Sequence, residues 1–427
     1  MDETLLPRHL RGEIENALLS ARVVNIIGPR QVGKTTLVRD LLGSGRFVSL
    51  DDTGVLEAME ADPYGLLTAM VDQAGDEAVI VDEAQRSRNL AIAIKRIVDE
   101  RRRMGQFLLT GSSNVFTAAH VADSLAGRVQ TLTLWPLSGA EIHRAGPAML
   151  LDWAGQASPS LADLPPTPSA TRAEYVDLIV RGGYPEIRVL DDRPRKRRYR
   201  DAIDAIVDRD IADVLRVRKT DALRRLIDQL AARTANELSV EDLCSVIRVQ
   251  RETLESYLDA LCRLSVVTRL GAWASGATGR EIKRPKIHLL DSGVAAALRG
   301  LGPDSFGVTG DPTALGYLLE TYVHNEVLKS VPFQSDDWKL WHWRNRDGRE
   351  VDILAEQGRK LVAIEVKAAA TLDGDDLKNL RWFRSEGPGK TWDVTGIVFY
   401  LGTEPLSFGD KIFGLPLSTF WAWGASA

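Results

Sequence analysis

In the first third of the chain, short unbroken apolar runs alternate with stretches of helical spacing. Val23, Val24, Ile26 and Ile27 form one run; others lie within Arg46 to Leu50, Glu77 to Val81, Gln106 to Thr110 and Val129 to Leu134. Runs of this length predict strands buried on both faces, and amphipathic segments between them, such as Leu37, Val38, Leu41 and Leu42, predict crossover helices. The pattern predicts a parallel α/β domain over residues 1–150, entered through a helix over residues 2–20.

The spacing then changes. Between Gly155 and Ser169 four prolines stand among Ser, Ala and Thr, which predicts a loop within a linker and helical lid over residues 151–220. Residues 221–300 read as amphipathic helices (Leu238 to Leu243, Arg251 to Leu264) followed by a hairpin. Its strands are Val266 to Gly271 and Lys286 to Asp291, with a Gly-rich tip at Ser275 to Gly279, a winged helix-turn-helix pattern. Residues 301–427 begin with an amphipathic helix, Leu315 to Leu328, and continue with strands at Leu340 to Trp343, Arg349 to Leu354 and Leu361 to Lys367. In the last of these, Leu361, Ala363, Glu365 and Lys367 share one face and Val362, Ile364 and Val366 the other. A helix (Asp376 to Arg384) and a strand (Gly396 to Leu401) follow, so the fold class is α/β throughout.

Composition narrows the class of protein. A length of 427 residues predicts two or three domains, and 44% hydrophobic with 26% charged residues describes a globular chain. With 54 Lys and Arg against 59 Asp and Glu the net charge is -5, so nucleic-acid or membrane binding would need a local patch. Cys244 and Cys262 form neither a disulfide framework nor a zinc site, and no apolar run approaches the length of a membrane span. The expected location is the cytoplasm, with no membrane partner.

The chemistry is densest where the first apolar run breaks. Gly28, Pro29, Arg30, Gln31, Val32, Gly33, Lys34, Thr35 and Thr36 fit G-x-x-x-x-G-K-[ST] between a strand and a helix. Glycines there let backbone N–H groups converge on a polyphosphate at the helix N-terminus. The expected cofactors are ATP and Mg2+, with Lys34 on the β- and γ-phosphates and Thr35 on the metal. Asp82 and Glu83 end a later strand, placing Asp82 at the metal and Glu83 as the group that polarises the attacking water. Thr110 to Asn114, including Ser112, bring small polar groups to another strand end.

These features resemble an AAA-type P-loop ATPase. The resemblance implies that Thr110 to Asn114 is a sensor element and that Arg128 is an arginine finger, acting on its own nucleotide or, in an oligomer, on a neighbour's. A surface Arg capping a helix is the other reading of Arg128. Gly182-Gly183-Tyr184-Pro185 resembles the lid element of signal-transduction P-loop ATPases, in which Pro185 would lie near adenine; a tight turn between helices explains the same residues. Arg193 to Arg200 is the densest positive run, either a solvated face or a phosphate contact. In the winged-helix segment Arg248, Gln250, Arg251 and Thr253, with Lys283 and Arg284 near the wing, would face DNA, unless the module only packs domains together.

Asp352, Glu365 and Lys367 form D-x12-E-x-K on neighbouring strands and resemble the PD-(D/E)XK nuclease superfamily. That resemblance implies Mg2+ on Asp352 and Glu365, support from Glu320, and Lys367 orienting the attacking water. Glu350 rather than Asp stands two residues before Asp352, and no Pro-Asp dipeptide precedes the hairpin; a nuclease fold kept as scaffold accounts for the same residues. The whole order, from about residue 20 to 403, resembles AAA ATPases joined to domain of unknown function 4143. Two functions follow. One is an ATPase whose nucleotide state controls a nuclease-like domain acting on DNA or RNA; the other is a nucleotide-dependent switch that binds a protein partner through an inactive nuclease fold.

Overall fold

The computed structural model describes residues 5–41, 45–87, 89–112, 127–211, 220–274, 284–307 and 311–424. The chain divides into two compact units, Met1–Pro136 and Leu137–Ala427. The first boundary therefore falls ahead of the expected residue 150, and the three later segments form one unit.

In the first unit strands β1 (Val23–Ile27), β2 (Arg46–Ser49), β3 (Val79–Asp82), β4 (Phe107–Gly111) and β5 (Val129–Thr133) form a parallel sheet in the order β2-β3-β4-β1-β5. Val23, Val79, Val81, Phe107 and Leu109 pack with Leu67, Val71, Ile94 and Val98 of the helices Pro63–Ala74 and Leu90–Arg101. β1, β3 and β4 are buried on both faces, the physical origin of their unbroken apolar runs, whereas the edge strands β2 and β5 are only partly buried. All carboxyl ends lie at one edge, so the loop after β1 and the acids after β3 meet there with β4 between them.

The second unit contains two sheets. β6 (Asn236–Glu237), β7 (Val267–Leu270) and β8 (Lys286–Leu289) form an antiparallel sheet, β6-β8-β7, beside the helices Asp221–Ala232, Val240–Ile247 and Arg251–Arg263. β9 (Lys339–Arg344), β10 (Glu350–Gln357), β11 (Lys360–Lys367), β12 (Asp393–Tyr400), β13 (Leu406–Ser407) and β14 (Ile412–Pro416) form a mixed sheet, β13-β14-β12-β11-β10-β9. The sheets are joined: a backbone bridge links Ala272 to His342, and Trp273 lies in the core of the mixed sheet with Val351, Ala363 and Phe383.

The helix Pro312–Ser330 is buried on all sides, not amphipathic as its sequence spacing predicts. Its polar residues are tolerated because they are bonded: Thr321 to the Thr234 hydroxyl at 2.7 Å, Asn325 to the Leu289 carbonyl at 3.0 Å, and Glu326 to the Gly139 amide at 2.7 Å.

Candidate nucleotide site and a second carboxylate cluster

The phosphate loop follows β1 and curls back on itself. Gly28 has φ +153°, and a Cβ there would lie 2.2 Å from the Leu134 carbonyl oxygen, so no side chain fits. Gly33 has φ +95° and opens the helix Lys34–Thr36, which continues through Leu41 with a wider, π-type turn. Lys34 is buried, and its ammonium donates to the carbonyls of Gly28 at 3.0 Å and Pro29 at 2.8 Å, holding the charge across the loop's mouth. Arg8, which precedes the first helix, donates to the Val32 carbonyl at 2.5 Å and the Trp135 carbonyl at 2.6 Å. It braces the loop against the end of β5, a role without any local sequence signal.

Beneath the loop Asp82 gathers hydroxyls. Thr35 Oγ1 donates to its two carboxylate oxygens at 3.1 and 3.0 Å, Ser49 Oγ to one at 3.4 Å, and Thr110 Oγ1 makes a short bond to the other. The Glu83 amide donates to Thr110 Oγ1 at 3.4 Å, and Glu83 itself has φ +56°. Gln85 Nε2 donates to Glu83 Oε2 at 2.5 Å and to Ser112 Oγ at 3.3 Å, tying the second acid to the end of β4. Thr35 and Asp82, one hydroxyl and one carboxylate in contact, are the donor pair that a Mg2+ carried by a nucleotide uses, and Lys34 and the loop amides suit its phosphates. These residues fit ATP and Mg2+. The metal would supply charge neutralisation at the phosphates, and Glu83 is held nearby by Gln85. Ser113 and Asn114 lie outside the described residues.

A second cluster forms in the other unit. Irregular pairing of β10 with β9 between Val351 and Leu354 sets Asp352 where one oxygen accepts from the Val366 amide at 3.0 Å. Its other oxygen accepts from Lys286 Nζ at 3.2 Å, and the same ammonium donates to Glu320 Oε1 at 2.7 Å. Lys367 stands 3.4 Å from Glu365 Oε2, and Glu365 Oε1 is buried with no hydrogen-bond partner among the described residues. Burial, reinforced by Asp352, raises the Glu320 carboxyl to about 8 and pushes Glu365 well above the usual carboxylate range. The structure thus brings Glu320, Asp352, Glu365 and Lys367 together as the sequence predicts, but around a lysine that sequence reasoning missed. No group of three or more His, Cys, Asp or Glu side chains among the described residues is arranged to hold a metal ion. With an ammonium bonded to two of the three acids, the expected Mg2+ seat at Glu320, Asp352 and Glu365 does not fit the metal.

Residues 20–143 match the family described as AAA domain. Residues 172–305 and 315–420 match two domains of unknown function, DUF8612 and DUF4143. Uncharacterized proteins of Mycobacterium tuberculosis and Mycobacterium bovis are each 28% identical over 367 residues, covering 85% of this chain and 74% of theirs. Among solved structures, a Walker-type ATPase of Pyrococcus abyssi is 16% identical, with a TM-score of 0.44 and coverage of 70% of this chain and 97% of its own. A signal-transduction ATPase with numerous domains from Pyrococcus horikoshii is 12% identical, with a TM-score of 0.29 and coverage of 76% and 48%. Neither likeness is close enough to bear on the sites.

Within the AAA domain Arg128 stands away from the nucleotide site. Its carbonyl accepts from the Val23 amide at the start of β1, and its guanidinium pairs with Asp99 at 2.8 Å. The phosphate loop leaves the opposite end of β1, roughly 16 Å away at strand rise over five residues. A finger role on its own nucleotide is therefore corrected. Pro185 lies in the second unit, at the first turn of the helix Pro185–Arg188. There the Gly183 amide donates to buried Asp291 at 2.7 Å, and the Gly183 carbonyl accepts from Leu137, so the Gly-Gly-Tyr-Pro turn has a packing role.

Some of the candidate nucleic-acid contacts are engaged within the chain. Arg251 pairs with Glu255 at 2.8 Å and Glu241 at 3.0 Å, and Arg195 is buried against Asp192 and the Leu190 carbonyl. Arg193, Arg197 and Arg198 remain exposed. Lys283 and the tip Ser275 to Gly279 lie outside the described residues, and among those described no helix is long and apolar enough to cross a membrane.

Proposed function

We propose that this chain is a Mg2+-dependent ATPase working as a nucleotide-dependent switch. Its second unit carries the output to a protein partner and retains a nuclease-like fold for shape. The observation that carries the ATPase reading is Asp82, held by Thr35, Ser49 and Thr110 directly beneath a complete phosphate loop. Lys34 and the loop amides hold the phosphates, Thr35 and Asp82 the metal, and Glu83 orients the attacking water. The switch reading is favoured in the C-terminal domain because its carboxylates are already neutralised from within.

A second reading, ATP-controlled cleavage of DNA or RNA, is favoured by the convergence of Glu320, Asp352, Glu365 and Lys367, and by the helix-and-hairpin order of residues 221–289, which suits a winged helix. Two measurements on the full chain separate the readings. Hydrogen exchange should differ in residues 137–427 between a non-hydrolysable ATP analogue and ADP. Labelled single- and double-stranded DNA and RNA should remain intact with Mg2+ or Mn2+, with or without ATP. Identical exchange in both states would sink the switch, and cleavage lost in Asp352→Ala would establish the nuclease.

A further inference from the structure

We propose that Lys286 is the permanent counter-cation of the Glu320, Asp352 and Glu365 cluster, standing where a cutting nuclease fold holds its divalent metal. On β8, Lys286 and His288 share one face, and that face meets the buried helix Pro312–Ser330: His288 stacks on His324 at 4.0 Å, and Lys286 reaches Glu320. Lys286 is only 3% exposed, so its charge is there because carboxylates receive it. Both oxygens of Asp352 are engaged, one by this ammonium and one by the Val366 amide. A divalent ion taking the Glu320 Oε1 and Asp352 Oδ1 oxygens as ligands would compete with the ammonium for the same atoms. One cation excludes the other.

The charges come close to balance without a metal. Lys286 and Lys367 set two positive charges against the three carboxylates of Glu320, Asp352 and Glu365. The strand that carries Lys286 is held in place by its neighbours, so the ammonium is delivered to the cluster by the fold itself. His342 Nε2 lies 3.0 Å from the Arg284 carbonyl, the Leu289 amide donates to Thr234 at 3.2 Å, and Asn325 donates to the Leu289 carbonyl at 3.0 Å. Across the hairpin the Trp273 amide donates to the His342 carbonyl at 2.6 Å. The lysine therefore closes the cluster as part of the fold, clamping the small sheet to the mixed one. This inference involves no residue of the nucleotide site, and its readout is metal binding, not cleavage.

The test is Mn2+ binding, followed by electron paramagnetic resonance and by thermal shift on the nucleotide-free full chain. Wild type and Asp352→Asn should bind Mn2+ equally. Lys286→Met should gain one Mn2+ per chain and a metal-dependent rise in Tm, and adding Asp352→Asn to it should remove both gains. Wild-type binding that is lost in Asp352→Asn would overturn the proposal, as would a folded Lys286→Met that takes up no Mn2+. If Lys286→Met does not fold without metal, its rescue by Mn2+ but not by K+ is the supporting result. If neither rescues it, the comparison of wild type with Asp352→Asn decides.

Discussion

Replacing Thr110 with Val removes one hydroxyl at nearly constant volume and tests how Asp82 is held. Asp82 accepts from Thr35, Ser49 and Thr110, but on the proposed function Thr35 would turn to a nucleotide-borne metal, and Ser49 is distant at 3.4 Å. Thr110 is thus the partner that orients the carboxylate in both states, and it also accepts from the Glu83 amide. A hydrogen bond to a charged group contributes about 1.5–3 kcal/mol. If all of it is expressed in the metal-dependent step, kcat/KM for MgATP falls about 10- to 150-fold, at one decade per roughly 1.4 kcal/mol. Binding of a fluorescent ATP analogue without metal should be unchanged, because Lys34 and the loop amides are untouched. Thr110→Ser should recover most of the rate. An unchanged kcat/KM in Thr110→Val, or an equal loss of metal-free binding, would refute the assignment.

Arg128→Ala should leave the turnover of dilute protein within about twofold and cost less than roughly 1 kcal/mol, since its pair with Asp99 is partly exposed; a large loss of turnover would mean that a neighbouring copy supplies the finger. Gly182→Ala should destabilise the second unit by at least about 1 kcal/mol, because φ is +67° and a Cβ would lie 2.2 Å from Asp291 Oδ1; an unchanged urea midpoint would contradict that packing. Burial holds His324 at about 4 against an ordinary 6.5, so its neutral form belongs to the folded state, and its contribution is complete above pH 6.5 and lost as pH falls towards 4. Between pH 7 and pH 5 this amounts to about 2 kcal/mol, and His324→Gln should flatten the fall in urea stability; equal slopes would rule it out.

The candidate nucleotide site was legible because its parts are local. The glycines, Lys34 and Thr35 adjoin one another, and Asp82 and Glu83 end an apolar run whose burial dictates a strand. Alternation along β11 likewise placed Glu365 and Lys367 on a common face. What escaped depends on distant pairing. Lys286 lies 34 residues from Glu320 and 66 from Asp352, and nothing in its own strand distinguishes a wing residue from a counter-cation. Arg128 follows a motif-like Leu-Ala-Gly, yet which end of the sheet it occupies is set by the register of β5 on β1. Arg8 precedes the first helix as an ordinary surface cation would, and only the fold brings it to Val32. The helix Pro312–Ser330 carries polar residues on every side because its neighbours bond them, a satisfaction that periodicity does not register.

The most direct test of the central claim measures ATP binding and phosphate release side by side in wild type, Lys34→Ala and Glu83→Gln, with and without Mg2+. The predicted result is Mg2+-dependent release by wild type, loss of binding in Lys34→Ala, and retained binding without release in Glu83→Gln. Undiminished release by both variants would contradict the account.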